Sequence, residues 1–166
     1  RRQKVVLAPD PAIPLQAPMT IDAVSGAYWR PEVGGAALGW SQPEEPGPAM
    51  ERVPTDWDFP ALVLEEVARL APFWNDVAER LTRSSVFLSA GQYTMTPDTT
   101  PILGPVGLPG LYVNAGYSGH GIMAAPEGSR MVVEMMLGRL RAEESPFGFH
   151  RFQHPKEKMS TEKMVI

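Results

Sequence analysis

The sequence contains no cysteine. That excludes disulfides, thiolate metal sites and a cysteine nucleophile. It lacks an excess of basic charge: Lys and Arg number 15 against 19 Asp and Glu, for a net charge of -4. With no basic block, a nucleic-acid partner is not expected. No apolar run approaches the roughly 20 residues of a membrane-spanning helix, so no transmembrane segment is expected. Histidine is scarce as well. His150 and His154 stand four apart, a spacing two metal ligands could share on a helix. No third ligand accompanies them, and they read as part of a solvated tail. There is neither an initiator Met nor a signal-peptide pattern ahead of Val5-Val6-Leu7. A piece of a longer protein is expected at least as readily as a processed mature chain. No targeting segment names a compartment; cytoplasm and mitochondrial matrix are the two expected.

Proline is what the chain has in excess, 18 of 166 residues, about twice the usual share of roughly 5%. Scattered rather than repeated, these prolines punctuate many short elements instead of building a linker. The apolar share of 43% and charged share of 20% are ordinary for a globular chain. The length suits one domain with a core, or parts of two.

Residues 1–8 read as a strand stopped by Pro9 and Pro11. Residues 26–31 and 36–41 form two short runs around Gly34-Gly35, a hairpin signal. The loop 42–54 carries four prolines and no periodicity. Asp56 or Asp58 can cap a helical pattern over 59–82, with Leu62, Val63, Val67, Leu70, Phe73, Val77 and Leu81 at helical spacing. Pro72 should break or kink it. A strand is expected over 85–94, a turn at Pro97-Asp98, and a short apolar piece between Pro101 and Pro105. Asp98 reads as an Asx-turn residue. Residues 111–115 look like a buried strand. A helix follows from Ile122 to about Leu137, with Val132, Val133, Met136 and Leu137 on its apolar side and Gly138 as its stop.

The strand–turn–helix at 111–138 carries the most chemistry. Its turn, Gly116-Tyr117-Ser118-Gly119-His120-Gly121, ends at a helix N-terminus, where backbone N–H groups lack partners and the dipole is positive. Glycines let a ligand approach such a backbone closely, which suits an anion or a ring carbonyl. Residues 119–124 also match G-x-G-x-x-[GA], the dinucleotide fingerprint. That fingerprint requires a following strand with an acidic residue about 20 positions on. Here Glu143 and Glu144 fall at a helix end and in a polar tail, so the match carries no weight.

Three ordered stretches resemble the D-amino-acid-oxidase-like flavoprotein superfamily, on its sarcosine oxidase, glycine oxidase and proline or dimethylglycine dehydrogenase side. Tyr93-Thr-Met-Thr-Pro-Asp-Thr-Thr-Pro-Ile-Leu-Gly-Pro105 resembles the run Y-T-x-T-P-D-x-x-P-[IL]-[IL]-G. Leu108-Pro-Gly-Leu-Tyr-Val-Asn-Ala-Gly-Tyr-Ser-Gly-His-Gly-Ile-Met-Ala-Ala-Pro126 resembles G-L-[YW]-V-A-x-G-x-S-G-H-G-[FI]-M-x-x-P. Residues 26–39 resemble a G-x-Y-[FW]-R-P…G hairpin of the substrate domain.

The resemblance implies an α+β fragment covering the last two-fifths or so of a two-domain flavoprotein. Residues 1–94 would be part of a mixed-sheet substrate domain. Residues 95–140 would be the last strand and helix of the FAD domain, and 141–166 a tail. It implies FAD as cofactor, with Gly119, His120, Gly121, Ile122 and Met123 along the pyrimidine edge of the flavin ring and Gly91, Gln92 and Tyr93 near its other side. Donors there would stabilise charge gathering on the ring as hydride arrives. Gly91 stands where monomeric sarcosine oxidases carry the cysteine that tethers FAD, so non-covalent FAD is expected. Met123 and, by hairpin alignment, Ala37 stand where those oxidases carry lysines. A dehydrogenase is therefore expected over an oxidase.

The expected reaction is oxidation of a C–N bond in an amino acid or secondary amine. Expected partners are that small substrate, an N-terminal FAD-binding half or companion subunit, and an electron-acceptor protein. His120, Tyr93 and Tyr28 are the candidate catalytic residues. For His120 the backbone N–H counts above the ring. Tyr28, Trp29 and Tyr93 fit an aromatic wall or a core equally, and Arg30 reads as an ion-pair member. The chain by itself would be inactive. The rival expectation is a non-catalytic flavoprotein remnant that serves in assembly.

Overall fold

Side chains alternate between the faces of a strand, so β1 (Arg2–Leu7) buries Val5 and Leu7 on one face and turns Lys4 and Val6 to the other. The computed structural model describes residues 1–42 and 47–153. The chain divides into two compact units, Arg1–Gln92 and a second that begins at Tyr93. No helix among the described residues is long and apolar enough to cross a membrane.

In the first unit, β1 lies inside a five-stranded sheet with β2 (Thr20–Ile21), β3 (Ala27–Glu32), β4 (Gly35–Trp40) and β5 (Val86–Gly91), in the order β2-β3-β4-β1-β5. The expected hairpin forms one residue early. Its turn is Val33-Gly34, with φ of 50° and 79°, and Glu32 pairs with Gly35 across it. Positive φ at both central residues is type I′ geometry, whose twist matches the strands it joins. Gly35 opens β4, and only glycine fits there because a Cβ would strike the Leu7 carbonyl. Every strand pair of this sheet is antiparallel. The hairpin sends β4 against β3, and two helices bring the chain back so that β5 also runs against β1.

Those helices are α1 (Phe59–Leu70) and α2 (Phe73–Arg80). Pro72 separates them as expected and takes the N-cap of α2. Phe59, Val63 and Val67 from α1 and Trp74 and Val77 from α2 meet Val5, Leu7, Trp29, Leu38 and Leu88 of the sheet in one core. Each fully buried aliphatic side chain contributes about 1.5–3 kcal/mol relative to exposure. Leu62 and Leu70, named for the same helical spacing, are 42% and 37% exposed. The buried stripe runs through 59, 63 and 67, and both leucines lie off it. Trp29 packs edge-on against Phe73 and Trp74, at ring distances of 5.4 and 5.3 Å.

The second unit holds a two-stranded antiparallel ribbon, β6 (Ile102–Pro105) and β7 (Tyr112–Ala115), and helix α3 (Gly121–Met136). The buried positions of α3 are Gly128, Val132 and Met135, spaced i, i+4, i+7 on one face. Of the expected apolar side only Val132 is buried; Val133, Met136 and Leu137 are about half exposed. β7 is not the buried strand expected, because Asn114 and Ala115 are exposed. Gly138, at φ 69°, ends α3. Its N–H bonds Met135 O, and Arg139 N–H bonds Glu134 O, the paired bonds of a Schellman stop.

The expected polar tail is not free over its described part. Turns of 3-10 helix at Ala142–Glu144 and Phe149–Phe152 fold it back, with Ser145 buried and Leu103 N–H donating to Phe147 O at 3.0 Å. His154 lies outside the described residues.

Candidate functional site

The glycine-rich turn between β7 and α3 is held from three sides. Gly116 takes φ 79° against Thr96, whose methyl a Cβ there would crowd. Ser118 takes φ 56°; its N–H donates to Thr94 O at 3.3 Å and its hydroxyl to Thr99 O at 3.1 Å. These bonds bring the segment that starts at Tyr93 beside the turn. Tyr117 points the other way. Its hydroxyl donates to Asn114 Oδ1, and Asn114 Nδ2 donates to Ser129 Oγ at 2.9 Å. The ring fills the space a side chain at Gly128 would need. Burial pushes the Tyr117 phenol pKa upward, which keeps it a neutral donor. Turn and helix are thereby locked together. An isolated glycine inside a helical pattern, usually present for packing, was the available signal for this lock.

His120 is the N-cap of α3 and makes no side-chain cap bond. Its N–H, expected to serve a ligand, donates to Tyr117 O at 2.9 Å. Its carbonyl accepts from Met123 and Ala124 N–H. Gly121 and Ile122 follow as the first helical residues, whose N–H groups have no preceding turn to bond. No acidic residue occupies the first turn, so nothing there opposes an electron-rich ring edge. Ile122 and Met123 are 97% and 70% exposed. Beside the turn lies an apolar cleft of about 540 Å³ that includes Met95, Ile102, Gly116, Phe149 and Phe152.

Tyr93 and residues 119–123 thus belong to the second unit, whereas Tyr28, Gly91 and Gln92 belong to the first. A Cβ on Gly91 would meet nothing within 4 Å. Gln92 is engaged structurally: its amide donates to Pro48 O and accepts from Met50 N–H, both at 2.8 Å. The Tyr28 ring lies over Gly39, its cross-strand partner, where any side chain would collide. Trp29 is core, 3% exposed. Arg30 pairs with Glu32 at 3.0 Å, and Lys4 joins the same carboxylate at 3.3 Å. Ala37 is wholly buried in β4.

Asp98 is more than a turn residue. It accepts from Thr100 N–H at 3.2 Å, the Asx turn, and from Thr96 Oγ1 at 2.9 Å. It also takes a fork from Arg151 that sequence reasoning missed. Burial pushes its carboxyl up, but the hydrogen bonds from Arg151, Thr96 and Thr100 outweigh that and hold it well below the usual carboxylate range. It is a structural anion and not a base. Among the described residues no group of three His, Cys, Asp or Glu could hold a metal ion.

Residues 1–135 match the family model described as DAO, FAD dependent oxidoreductase. The chain is 36% identical over 145 residues to FAD-dependent oxidoreductase domain-containing protein 1 of Bos taurus, covering 83% of this chain and 28% of that protein. It also resembles the crystal structure of L-proline dehydrogenase from P. horikoshii, with a TM-score of 0.70 and 26% identity, over 95% of this chain and 40% of that one. It therefore spans well under half the length of either.

Proposed function

The chain belongs to this family of FAD-dependent oxidoreductases, and from that premise we propose that it is the C-terminal part of an enzyme oxidising the C–N bond of an amino acid or secondary amine. The first unit would belong to the substrate domain and the second to the FAD domain. The observation that carries the reading is the locked glycine turn, which presents the open N-terminus of α3 with no acidic residue in its first turn. These residues fit a flavin: Gly119, Gly121, Ile122 and Met123 would lie along its pyrimidine edge. There the Gly121 and Ile122 N–H groups, which have no preceding helical turn to bond, favour negative charge. Gly91 leaves open space for close approach, and without any cysteine in the chain no thioether tether can form from it. Flavin, when bound, supplies the hydride acceptor.

This chain's own part is to orient that acceptor and favour charge on it. Tyr93 would lie beside the substrate, and His120 would act mainly by setting the turn, since its N–H is committed to Tyr117 O. The similarity to L-proline dehydrogenase supports an amine or amino-acid substrate. Met123 and the buried Ala37 put no cation at two positions where oxidases of the resembled group carry lysines, which favours an acceptor other than oxygen.

The test is an absorption spectrum of the chain combined with a polypeptide that supplies the dinucleotide-binding half, after excess FAD is removed. A flavin spectrum that bleaches anaerobically with L-proline or another secondary amine is expected. A combined protein that holds no flavin would sink the reading and leave a non-catalytic assembly module. Bound flavin that no amine or amino acid bleaches would sink the substrate class alone.

A further inference from the structure

α1 and α2 turn Phe59, Val63, Val67, Trp74 and Val77 onto the sheet. The two helices and the residues that flank them, Trp57 before α1 and Arg83 after α2, border an open cleft of about 550 Å³. That is within the range of roughly 300–1,000 Å³ typical of small-molecule sites. Its walls are short and apolar: Ala61, Leu64 and Ala68 on α1, Ala78 on α2 and Leu81 beyond it. Trp74, wholly buried, contributes to its lining.

Trp57 and Arg83 lie together in the lining, and Asn75, also in it, is committed to Pro72 O. The Arg83 guanidinium stacks on the Trp57 ring, which fixes its plane and leaves its N–H edge able to fork onto a carboxylate. Glu65, also on the lining, is neutralised by Arg69 at 3.1 Å. Arg83 itself has no carboxylate partner among the described residues. An apolar slot therefore holds one such cation in its lining.

We propose that this cleft binds a small amphipathic monocarboxylate, with its unbranched apolar body along the alanine-lined walls and its carboxylate on Arg83. Alanines at 61, 68 and 78 leave a slot suited to a slender chain, and the single cation matches a single anionic end. The site lies wholly within the first unit, and nothing in it depends on the flavin reading.

Isothermal titration of the chain with decanoate tests the proposal, with decan-1-ol as the same chain without charge. Saturable binding of one decanoate per chain is expected. Arg83→Gln should weaken it roughly ten- to a hundred-fold, the loss of a charge-assisted hydrogen-bonded pair, and decanol should bind correspondingly worse than decanoate. Ala78→Phe and Ala61→Phe, both at exposed helix positions, should each fill the slot and abolish binding while the circular dichroism stays unchanged. Absence of saturable binding overturns the proposal, as does equal binding of decanoate by Arg83→Gln and the parent. Binding that survives both phenylalanine variants does the same. A dimer in sedimentation that Ala78→Phe dissociates would assign the cleft to a second copy of the chain and also overturn it.

Discussion

Arg151 closes a fork on Asp98 across 53 positions of sequence, with Nε to Oδ2 at 2.6 Å and Nη2 to Oδ1 at 3.1 Å. The same guanidinium donates to Thr100 O at 2.9 Å and Phe147 O at 2.7 Å. Both side chains are mostly buried, 13% and 6% exposed. One residue thus fastens the segment after α3 to the turn that supports Ser118. Removing a partner from a buried pair strands the other charge, so Arg151→Ala should destabilise the second unit by about 3 kcal/mol. Urea unfolding followed by circular dichroism measures this; a loss below about 1 kcal/mol would mean that water replaces the guanidinium.

The same pair sets an acid limit. The Asp98 carboxyl is held below its ordinary range in the folded protein, whereas unfolded Asp titrates near about 3.9. A depressed folded pKa contributes stability that is present above the unfolded value and is lost as pH falls below it. The urea midpoint of the parent should therefore decline between about pH 5 and pH 2, following the protonation range for such a group. Asp98→Asn removes the titrating group, and its decline should be shallower. Parallel declines would assign the acid sensitivity to other carboxylates.

Gly128 and Tyr117 compete for one volume. Gly128→Ala should destabilise the protein by about 1–3 kcal/mol, the range for overpacking a filled site. The atom in the way is chiefly the Tyr117 hydroxyl, so Tyr117→Phe should relieve part of the cost. A double-mutant cycle by thermal unfolding checks the coupling. Additive losses would show that the two residues act separately.

Val33 is a β-branched residue at φ 50°, a conformation it tolerates poorly, and its side chain is 94% exposed. Val33→Asn creates the Asn-Gly pair that type I′ turns prefer. It should raise stability by roughly 0.5–1 kcal/mol, by analogy with other relief of backbone mismatch. The guanidinium chloride midpoint is the readout, and an unchanged midpoint would mean that the turn relaxes at no cost.

Much of the local structure was legible because its causes are local. Pro72 divides two helices through its missing N–H, Gly138 ends α3 through its left-handed backbone, and Pro9 and Pro11 follow β1. The ordered motifs pointed to the family because they preserve spacing over most of the chain. Faces were read less well. Val133, Met136 and Leu137 look as apolar in sequence as Val132 and Met135, and only the packing of α3 on Leu103 and Gly104 selects which are buried. A helix N-terminus usually leaves such an N–H free for a ligand, but the turn spends that of His120 on Tyr117 O.

The sequence by itself determined where elements start and stop, that glycines concentrate at one helix N-terminus, and which flavoprotein group the motifs resemble. Those properties depend on backbone freedom and on spacing along the chain. Only the tertiary structure decided that Arg151 serves Asp98, that Tyr117 occupies the space beside Gly128, and that Arg83 lines an apolar slot with no carboxylate partner among the described residues. The first two join residues that sequence spacing does not relate, and both are settled by burial, where an unpaired charge or an overfilled volume costs several kilocalories per mole.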